Sequence, residues 1–125
     1  MKISFIKPIQ FGYKSILKDE WRSNPEMQEH VKFGLYGGRL TEQNITFEHI
    51  RPASKGGTTD IFNGALATKK TNEARGNRPL ASVLNKEMFE RYIAQFKGWC
   101  ATLFNNEEYI KRLTKTVEKQ GIKLK

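Results

Sequence analysis

The sequence predicts an α+β fold, in which two short strands and a helix form a core and further helices pack around it. One observation is the stretch 47–80, where strand-like runs flank a proline and a pair of glycines. Another is the last third of the chain, where apolar side chains recur at helical spacing. A chain of 125 residues suffices for one domain with one modest core. We therefore predict a single domain, 1–125, with its core at 34–80, an amino-terminal extension at 1–33 and a helical part at 81–125.

The amino-terminal extension begins with a predicted strand at 1–6, which Pro8 ends. Residues 9–18 carry apolar side chains that need burial, but their pattern does not distinguish a helix from a strand. The motif at 24–26, Asn-Pro-Glu, supplies a capping side chain, a proline at the first helical position and an acid in the first turn. It predicts a helix that runs to about Phe33.

The core is predicted as strand, loop, strand and helix. Pro52 prevents the first strand from continuing, and Gly56 with Gly57 permits a tight reversal. Residues 61–68 predict the second strand. The composition of 69–76 predicts a short helix, which a glycine at position 76 would end in a left-handed conformation.

Two helices are predicted after the core. The first starts near Ser82 or Asn85 and carries a broad apolar stripe from Phe89 to Leu103. We interpret this stripe as the face that packs on the hairpin, and stacking on nucleic-acid bases is the alternative. The last helix, 107–120, follows a cap at Asn105-Asn106. Its predicted inner face consists of Tyr109, Ile110, Leu113 and Val117.

The chemistry of the core centres on a histidine and two oxygen donors. Imidazole is the side chain whose ordinary pKa suits proton transfer near neutral pH, and His49 is the imidazole of this stretch. Glu48 and the amide oxygen of Asn72 are hard donors that suit Mg²⁺ or Mn²⁺, with water and phosphate completing the coordination. Neighbours on a strand point to opposite faces, so Glu48 and His49 can serve one phosphate only where the strand bends or ends.

An ordered set of residues resembles the core of HNH endonucleases, which are built on a ββα-metal hairpin and helix. The set is Glu-His at 48–49, Pro52, Ser-Lys-Gly-Gly at 54–57, Asn63, Asn72 and Arg-Gly-Asn at 75–77. The resemblance covers roughly a quarter of the chain. It implies that His49 is the general base, that Glu48 and Asn72 are metal ligands, and that Asn63 orients the histidine and braces the loop. Taken singly, a Glu-His pair is most often a surface feature and Asn63 a turn residue.

The sequence departs from the family at its zinc site. Many family members carry two Cys-x-x-Cys pairs, and this chain has Gly34-Leu35-Tyr36-Gly37 and Thr68-Lys69-Lys70-Thr71 in their places. Cys100 is the only cysteine, so the resemblance implies no structural zinc at these positions. Packing must supply the stability instead. The predicted replacements are Tyr36, Leu40, Ile45 and Phe47.

The charge balance favours a polyanionic partner. Lysine and arginine number 22 against 13 acids, which gives a net charge of +9. Arg75, in the position of the family's Lys-Gly-Asn ending, is predicted to bind phosphate through its guanidinium. Further candidate phosphate contacts are Arg51, Lys55, Lys69, Lys70, Lys111 and Lys115. Lys111, Lys115 and Lys119 form a stripe with a spacing of four, for which a solvated helix face is the alternative.

The expected environment is the cytoplasm of a bacterial or phage-infected cell. No apolar run approaches the ~20 residues of a membrane span, so no membrane contact is expected. The first residues lack the apolar region of a signal peptide, which argues against secretion. A single cysteine permits no intrachain disulfide and fits a reducing compartment.

The resemblance implies a zinc-less HNH endonuclease that hydrolyses DNA, double-stranded in the first instance, with one Mg²⁺ or Mn²⁺ as cofactor. Little machinery for reading bases is visible, so sequence preference is expected to be weak or set by a partner. Two other classes stay open. One is an HNH scaffold that binds nucleic acid without cutting it, and the other is a small regulatory protein that binds an acidic protein surface. RNA is the alternative substrate, and the sequence leaves open whether the chain forms a homodimer.

Overall fold

The computed structural model describes residues 14–58 and 60–124, and within them the fold is α+β. The helices are α1 (Lys14–Ser23), α2 (Pro25–His30), α3 (Lys69–Arg75), α4 (Lys86–Ala94) and α5 (Asn106–Lys119). The strands are β1 (Ile45–His49) and β2 (Gly64–Thr68). Short 3₁₀ turns occupy Ala53–Lys55, Ile61–Asn63 and Leu80–Ser82. The strand predicted at 1–6 lies outside the described residues.

The hairpin of β1 and β2 is the centre of the fold. The strands pair antiparallel, with Phe47 opposite Leu66 and His49 opposite Gly64. Every residue of β2 is buried. A Cβ added at Gly64 would lie 1.8 Å from the ring of Phe47, so this position admits only glycine. The register therefore fixes His49 at the loop end of the hairpin, where the chain leaves β1.

The helix predicted at 69–76 is confirmed as α3, which follows β2 without a break. The hydroxyl of Thr68 caps it by accepting a hydrogen bond from the N–H of Thr71 at 3.2 Å. Gly76 follows the helix with φ 54°, but its ψ of −128° lies outside the left-handed helical region that the sequence predicted. The order strand, loop, strand, helix is thus present between residues 45 and 75.

The second strand is shorter than the predicted 61–68, because its first three residues form a 3₁₀ turn. The carboxylate of Asp60 accepts a hydrogen bond from the N–H of Phe62 at 2.9 Å and so caps this turn. The backbone N–H of Asn63 bonds to the carbonyl of Asp60 at 3.1 Å. As a result Asn63 lies in the turn before β2 and not within the strand.

The helix predicted from residue 24 to about Phe33 is also shorter in the structure. Asn24 caps α2 as predicted, but the helix ends at His30. The reason is a side chain from elsewhere in the fold. The amide oxygen of Gln95 accepts hydrogen bonds from the N–H groups of Lys32 and Phe33, each at 3.0 Å, and thereby draws this backbone out of the helix.

Of the two predicted start positions for the first carboxyl-terminal helix, Asn85 is correct, and its side chain caps α4. The expected continuation to Leu103 is wrong, because α4 ends at Ala94. Beyond that point Phe96 and Trp99 still enter the core. The last helix, predicted as 107–120, is confirmed within one residue as α5, with Asn105 as its cap. Within α5, Tyr109, Leu113 and Val117 are buried as predicted, whereas Ile110 is only half-buried.

The carboxylate of Glu20 binds the backbone of the segment that follows α4. Residues 14–18, part of the stretch 9–18 whose form the sequence left open, lie in the helix α1, and the carboxylate of Glu20 on the same helix is fully buried. Residues 9–13 lie outside the described residues. The carboxylate accepts hydrogen bonds from Asn24 Nδ2 at 2.7 Å and from the N–H groups of Thr102 and Leu103, each at 2.8 Å. These backbone groups are therefore satisfied without a helix.

Burial acts to raise the pKa of Glu20, but its hydrogen bonds from Asn24, Thr102 and Leu103 together outweigh burial and lower the pKa.

None of the helices in the described ranges has the length and apolarity that a membrane span requires.

We predict that Glu20→Gln destabilises the fold by about 1.5–3 kcal/mol near neutral pH, because it removes the charge that strengthens these hydrogen bonds. Since the pKa of Glu20 is lowered on folding, its contribution is present above the ordinary value of 4.5 and is lost as the pH falls through the folded value. Urea unfolding at several pH values should therefore show a smaller loss of stability below pH 4.5 in the variant than in the parent. The exposed Glu29→Gln is the control, and equal acid sensitivity of the two variants would contradict this role of Glu20.

Candidate active site at the end of the hairpin

Arg75 holds the end of the hairpin together. Its side chain lies inside the protein with 2% of its surface exposed. Nη1 donates hydrogen bonds to Glu48 Oε2 at 3.0 Å and to the carbonyl of His49 at 2.7 Å, and Nη2 donates to the carbonyl of Ile50 at 3.1 Å. Nε donates to the carbonyl of Arg78 at 2.9 Å. The prediction that Arg75 contacts phosphate is therefore wrong for this structure, because the guanidinium is buried and engaged by Glu48 and three carbonyls.

Glu48 is also buried, with 4% of its surface exposed. Its Oε2 atom accepts hydrogen bonds from Arg75 and from the hydroxyl of Tyr36. Burial and the charge of Glu48 raise the pKa of Tyr36, so the phenol stays protonated and donates. The Oε1 atom accepts no hydrogen bond from the part of the chain that the structure describes. The sequence predicted Tyr36 as a packing residue, and nothing in its spacing signals this second role.

Asn72 on α3 contacts β1 at Thr46 and Phe47. Its Nδ2 donates to Thr46 Oγ1 at 3.1 Å and to the carbonyl of Phe47 at 3.2 Å. Thr46 and Glu48 are two apart on a strand and share a face, so the side chains of Asn72 and Glu48 lie on one side of β1. Both hydrogen bonds of Nδ2 go to β1. The amide oxygen, Oδ1, accepts no hydrogen bond from residues 14–58 or 60–124.

His49, the last residue of β1, points to the other face. Its ring stands edge-on to the ring of Phe47, with 5.1 Å between centroids and 84° between planes. The Nε2 atom is buried. The imidazole and the pair formed by Glu48 and Asn72 therefore flank the end of the strand from two sides, the arrangement that strand alternation requires for neighbouring residues.

Asn63 braces the loop that follows His49. Its Oδ1 accepts from the N–H of Arg51 at 2.9 Å, and its Nδ2 donates to the carbonyls of Arg51 and Thr58 at 3.1 and 2.8 Å. Gly57 packs against this network so closely that a Cβ would lie 1.8 Å from the carbonyl oxygen of Arg51. Both amide hydrogens of Asn63 are thus used by the loop, and the expected orienting of the histidine stays a prediction.

The oxygens at this site fit a hard divalent cation. Glu48 Oε1 and Asn72 Oδ1 are the two acceptor atoms left over on the α3 face, and carboxylate and amide oxygens suit Mg²⁺ or Mn²⁺. Residues 14–58 and 60–124 contain no group of three or more His, Cys, Asp or Glu side chains that could hold a metal, so water and phosphate would have to complete the coordination. The guanidinium of Arg75, 3.0 Å from the other oxygen of Glu48, opposes cation binding and predicts a weak site.

The segments 34–38 and 66–68, which include or adjoin the places of the family's cysteine pairs, lie against each other. A Cβ added at Gly34 would be 2.8 Å from the Cα of Ala67, and one at Gly38 would be 3.0 Å from the methyl group of Thr68. The N–H of Leu35 bonds to the carbonyl of Leu66 at 2.9 Å. Close backbone packing therefore joins these segments directly. Of the predicted replacements for zinc, Leu40, Ile45 and Phe47 are buried in the core.

A basic cleft opens beside the site, between the loop 51–63 and α5, with a volume of about 830 Å³. Three predicted phosphate contacts, Arg51, Lys111 and Lys115, line this cleft together. Lys119 from the same stripe and Arg112, which the sequence analysis did not single out, also line it. The other three predicted contacts, Lys55, Lys69 and Lys70, are exposed but are not part of its lining.

Comparison with protein-family models, with curated proteins and with solved structures gives no match for this chain. The resemblance to HNH endonucleases therefore depends on the motif residues themselves, and any function must be argued from the chemistry of the site.

We predict that Arg75→Met lowers the free energy of unfolding by about 3–5 kcal/mol, because it leaves the carboxylate of Glu48 buried without its cation. Replacing both partners, as Glu48→Leu with Arg75→Met, should cost less than Arg75→Met alone. Thermal and urea unfolding measure both effects, with the exposed Arg91→Met as a control. If Arg75→Met and Arg91→Met have equal stability, the pair does not support the fold.

Proposed function

We propose that this protein is a metal-dependent endonuclease of the HNH type that hydrolyses phosphodiester bonds in DNA. The observation that carries the proposal is that Glu48 and Asn72 each have one polar side-chain atom held by hydrogen bonds and one oxygen left over. Tyr36 and Arg75 hold one oxygen of Glu48, and β1 holds the amide nitrogen of Asn72. This leaves one oxygen of each residue without a hydrogen bond from residues 14–58 or 60–124, on the face of the strand opposite His49.

The geometry supports a reaction at the strand end. A scissile phosphate there would meet His49 on one side and the oxygens of Glu48 and Asn72 on the other. The imidazole accepts a proton from water, the water oxygen bonds to phosphorus, and the bond from phosphorus to the 3′ oxygen breaks. The departing oxygen takes up a proton from solvent, which gives 5′-phosphate and 3′-hydroxyl ends. A bound Mg²⁺ or Mn²⁺ would supply positive charge to the phosphate and the leaving oxygen.

The surroundings of the site support the same proposal. Asn63 fixes the loop directly after His49 through three hydrogen bonds, which limits the motion of the strand end. The segments 34–38 and 66–68 pack closely against each other, beside the positions that the family's zinc ligands would occupy. The α+β order of hairpin and helix is the one that the HNH resemblance implies.

A second candidate function is nucleic-acid binding without cleavage. Two observations favour it: Glu48 is already paired with a buried arginine, and Nε2 of His49 is buried. Cleavage by the first candidate therefore requires substrate or metal to draw the strand end partly open. A plasmid-nicking assay with Mg²⁺, with Mn²⁺ and with EDTA separates the candidates, since the binding module leaves the plasmid intact in all three.

We predict that His49→Ala abolishes cleavage, by at least about a hundredfold, because it removes the general base. Binding of the same DNA, measured by fluorescence anisotropy in EDTA, should change little, because His49 is not among the residues that line the basic cleft. The matched control is His30→Ala, which removes the other histidine of the chain, on the exposed end of α2. A His49→Ala protein that cuts at the parent's rate would refute the assignment of the base.

We predict that Asn72→Ala raises the Mn²⁺ concentration needed for half-maximal cleavage, because it removes one of two protein ligands. A readout independent of activity is the rise in melting temperature on adding Mn²⁺, which should shrink in this variant. Asn77→Ala removes an exposed asparagine just after α3 and serves as the control. Identical metal titrations of the parent and Asn72→Ala would exclude Asn72 from the ligand set.

A further inference from the structure

We propose that the basic cleft between the loop 51–63 and α5 binds the phosphate backbone of the nucleic-acid strand that flanks the cleaved bond. The assignment of the flanking strand rests on the proposed function, whereas the binding itself does not require cleavage.

The cleft carries unneutralised positive charge. Five cations and two acids line it, so positive charge is in excess. Of the two acids, Glu108 lies 4.0 Å from Arg112, and Asp60 accepts a hydrogen bond from the N–H of Phe62. The remaining cations have no carboxylate within ion-pair distance in residues 14–58 and 60–124. They are Arg51, Lys111, Lys115 and Lys119, and all four are exposed. Four free cations in one cleft attract a polyanion.

The spacing of these cations suits a repeating anion. The lysines on α5 recur every four residues, so eight residues separate the first from the last and span about 12 Å of helix. One DNA strand advances about 3.4 Å per nucleotide along the duplex axis, so a stripe of this length parallel to that axis faces about three to four phosphates. A compact ligand with a single anionic group would need the cations to converge on one point, and here they are spread along the helix. The charge pattern therefore favours a nucleic-acid backbone.

Hydrogen bonds fix α5 to the segment that leads into β2. The hydroxyl of Thr116 donates to the carbonyl of Phe62 at 2.8 Å, and that of Tyr109 donates to the carbonyl of Gly64 at 2.8 Å. Gly64 pairs with His49 across the hairpin. The lysine stripe is thus held at a fixed distance from the proposed reaction centre.

The cleft also adjoins the reaction centre along the chain. Arg51 and Asn63 both line it, and Arg51 follows His49 by two residues. A strand whose phosphates lie along α5 leads past this loop to the end of β1. The cleft therefore serves as a positioning groove on one side of the cleaved bond.

The test compares two triple variants with the same change of charge. The cleft variant is Lys111→Gln, Lys115→Gln and Lys119→Gln. The control variant is Lys86→Gln, Lys97→Gln and Lys123→Gln, whose lysines are exposed outside the cleft. Both are made in the His49→Ala protein and measured in EDTA, so that cleavage plays no part. Binding to a short fluorescein-labelled DNA duplex, and to the corresponding single strand, is followed by anisotropy over a range of NaCl concentrations.

For the cleft variant we expect affinity for DNA to fall roughly 10- to 100-fold, and the slope of log K against log[NaCl] to decrease by about two to three. In the control variant, the affinity for DNA should fall much less and the slope should change much less. Equal losses in the two variants, at unchanged melting temperatures, would overturn the groove and leave only diffuse attraction. Tighter binding of poly-glutamate than of DNA by the parent would also overturn it, because the partner would then be an acidic protein.

Different experimental results would contradict the groove and the proposed nuclease activity. If the parent binds DNA through these lysines but cuts no DNA with Mg²⁺ or Mn²⁺, the groove stands and the proposed function is wrong. If the parent cuts DNA and the cleft variant cuts and binds as the control does, the groove is wrong and the function stands.

Discussion

A buried guanidinium joins the helix α3 to the end of the hairpin. Arg75 donates to the carboxylate of Glu48 and to the carbonyls of His49 and Ile50, which are the residues where β1 ends and the loop begins. These carbonyls have left the strand ladder and need donors, and a planar guanidinium with several N–H groups can satisfy them together. Removal of this one side chain would leave a buried carboxylate without its cation and three carbonyls without these donors, so the shape of the site depends on it.

The same interaction has two consequences for chemistry. It holds Glu48 in one orientation, which reduces the reorganisation that a metal or substrate would require. It also places a positive charge beside the carboxylate, which weakens attraction for a cation. Stability at the hairpin end and affinity for metal are therefore opposed, and a polyanionic substrate in the basic cleft would shift the balance by bringing phosphate oxygens to the strand end.

Local sequence signals predicted the elements that local interactions form. Capping residues gave the starts of α2 and α5, and the composition of 69–76 gave α3, because a cap and a helix turn involve only neighbouring residues. The errors lie where distant side chains take over backbone groups. Gln95 ends α2 early by binding the N–H groups of Lys32 and Phe33, and Glu20 holds the loop after α4 through Thr102 and Leu103. The two partners of each such contact lie far apart in the sequence, so a local sequence pattern cannot reveal the contact.

The sequence by itself determined the α+β class, the excess of positive charge, and which side chains are suited to proton transfer and to hard-metal binding, because these follow from residue types and short spacings. Only the tertiary structure decided what each side chain touches. It put Arg75 inside the protein on Glu48, where the sequence had suggested an exposed phosphate contact. It also brought Arg51 together with the α5 lysines across one cleft. The physical reason is that burial and charge pairing depend on which distant residues the fold brings into contact, and that choice is made by the packing of the whole chain.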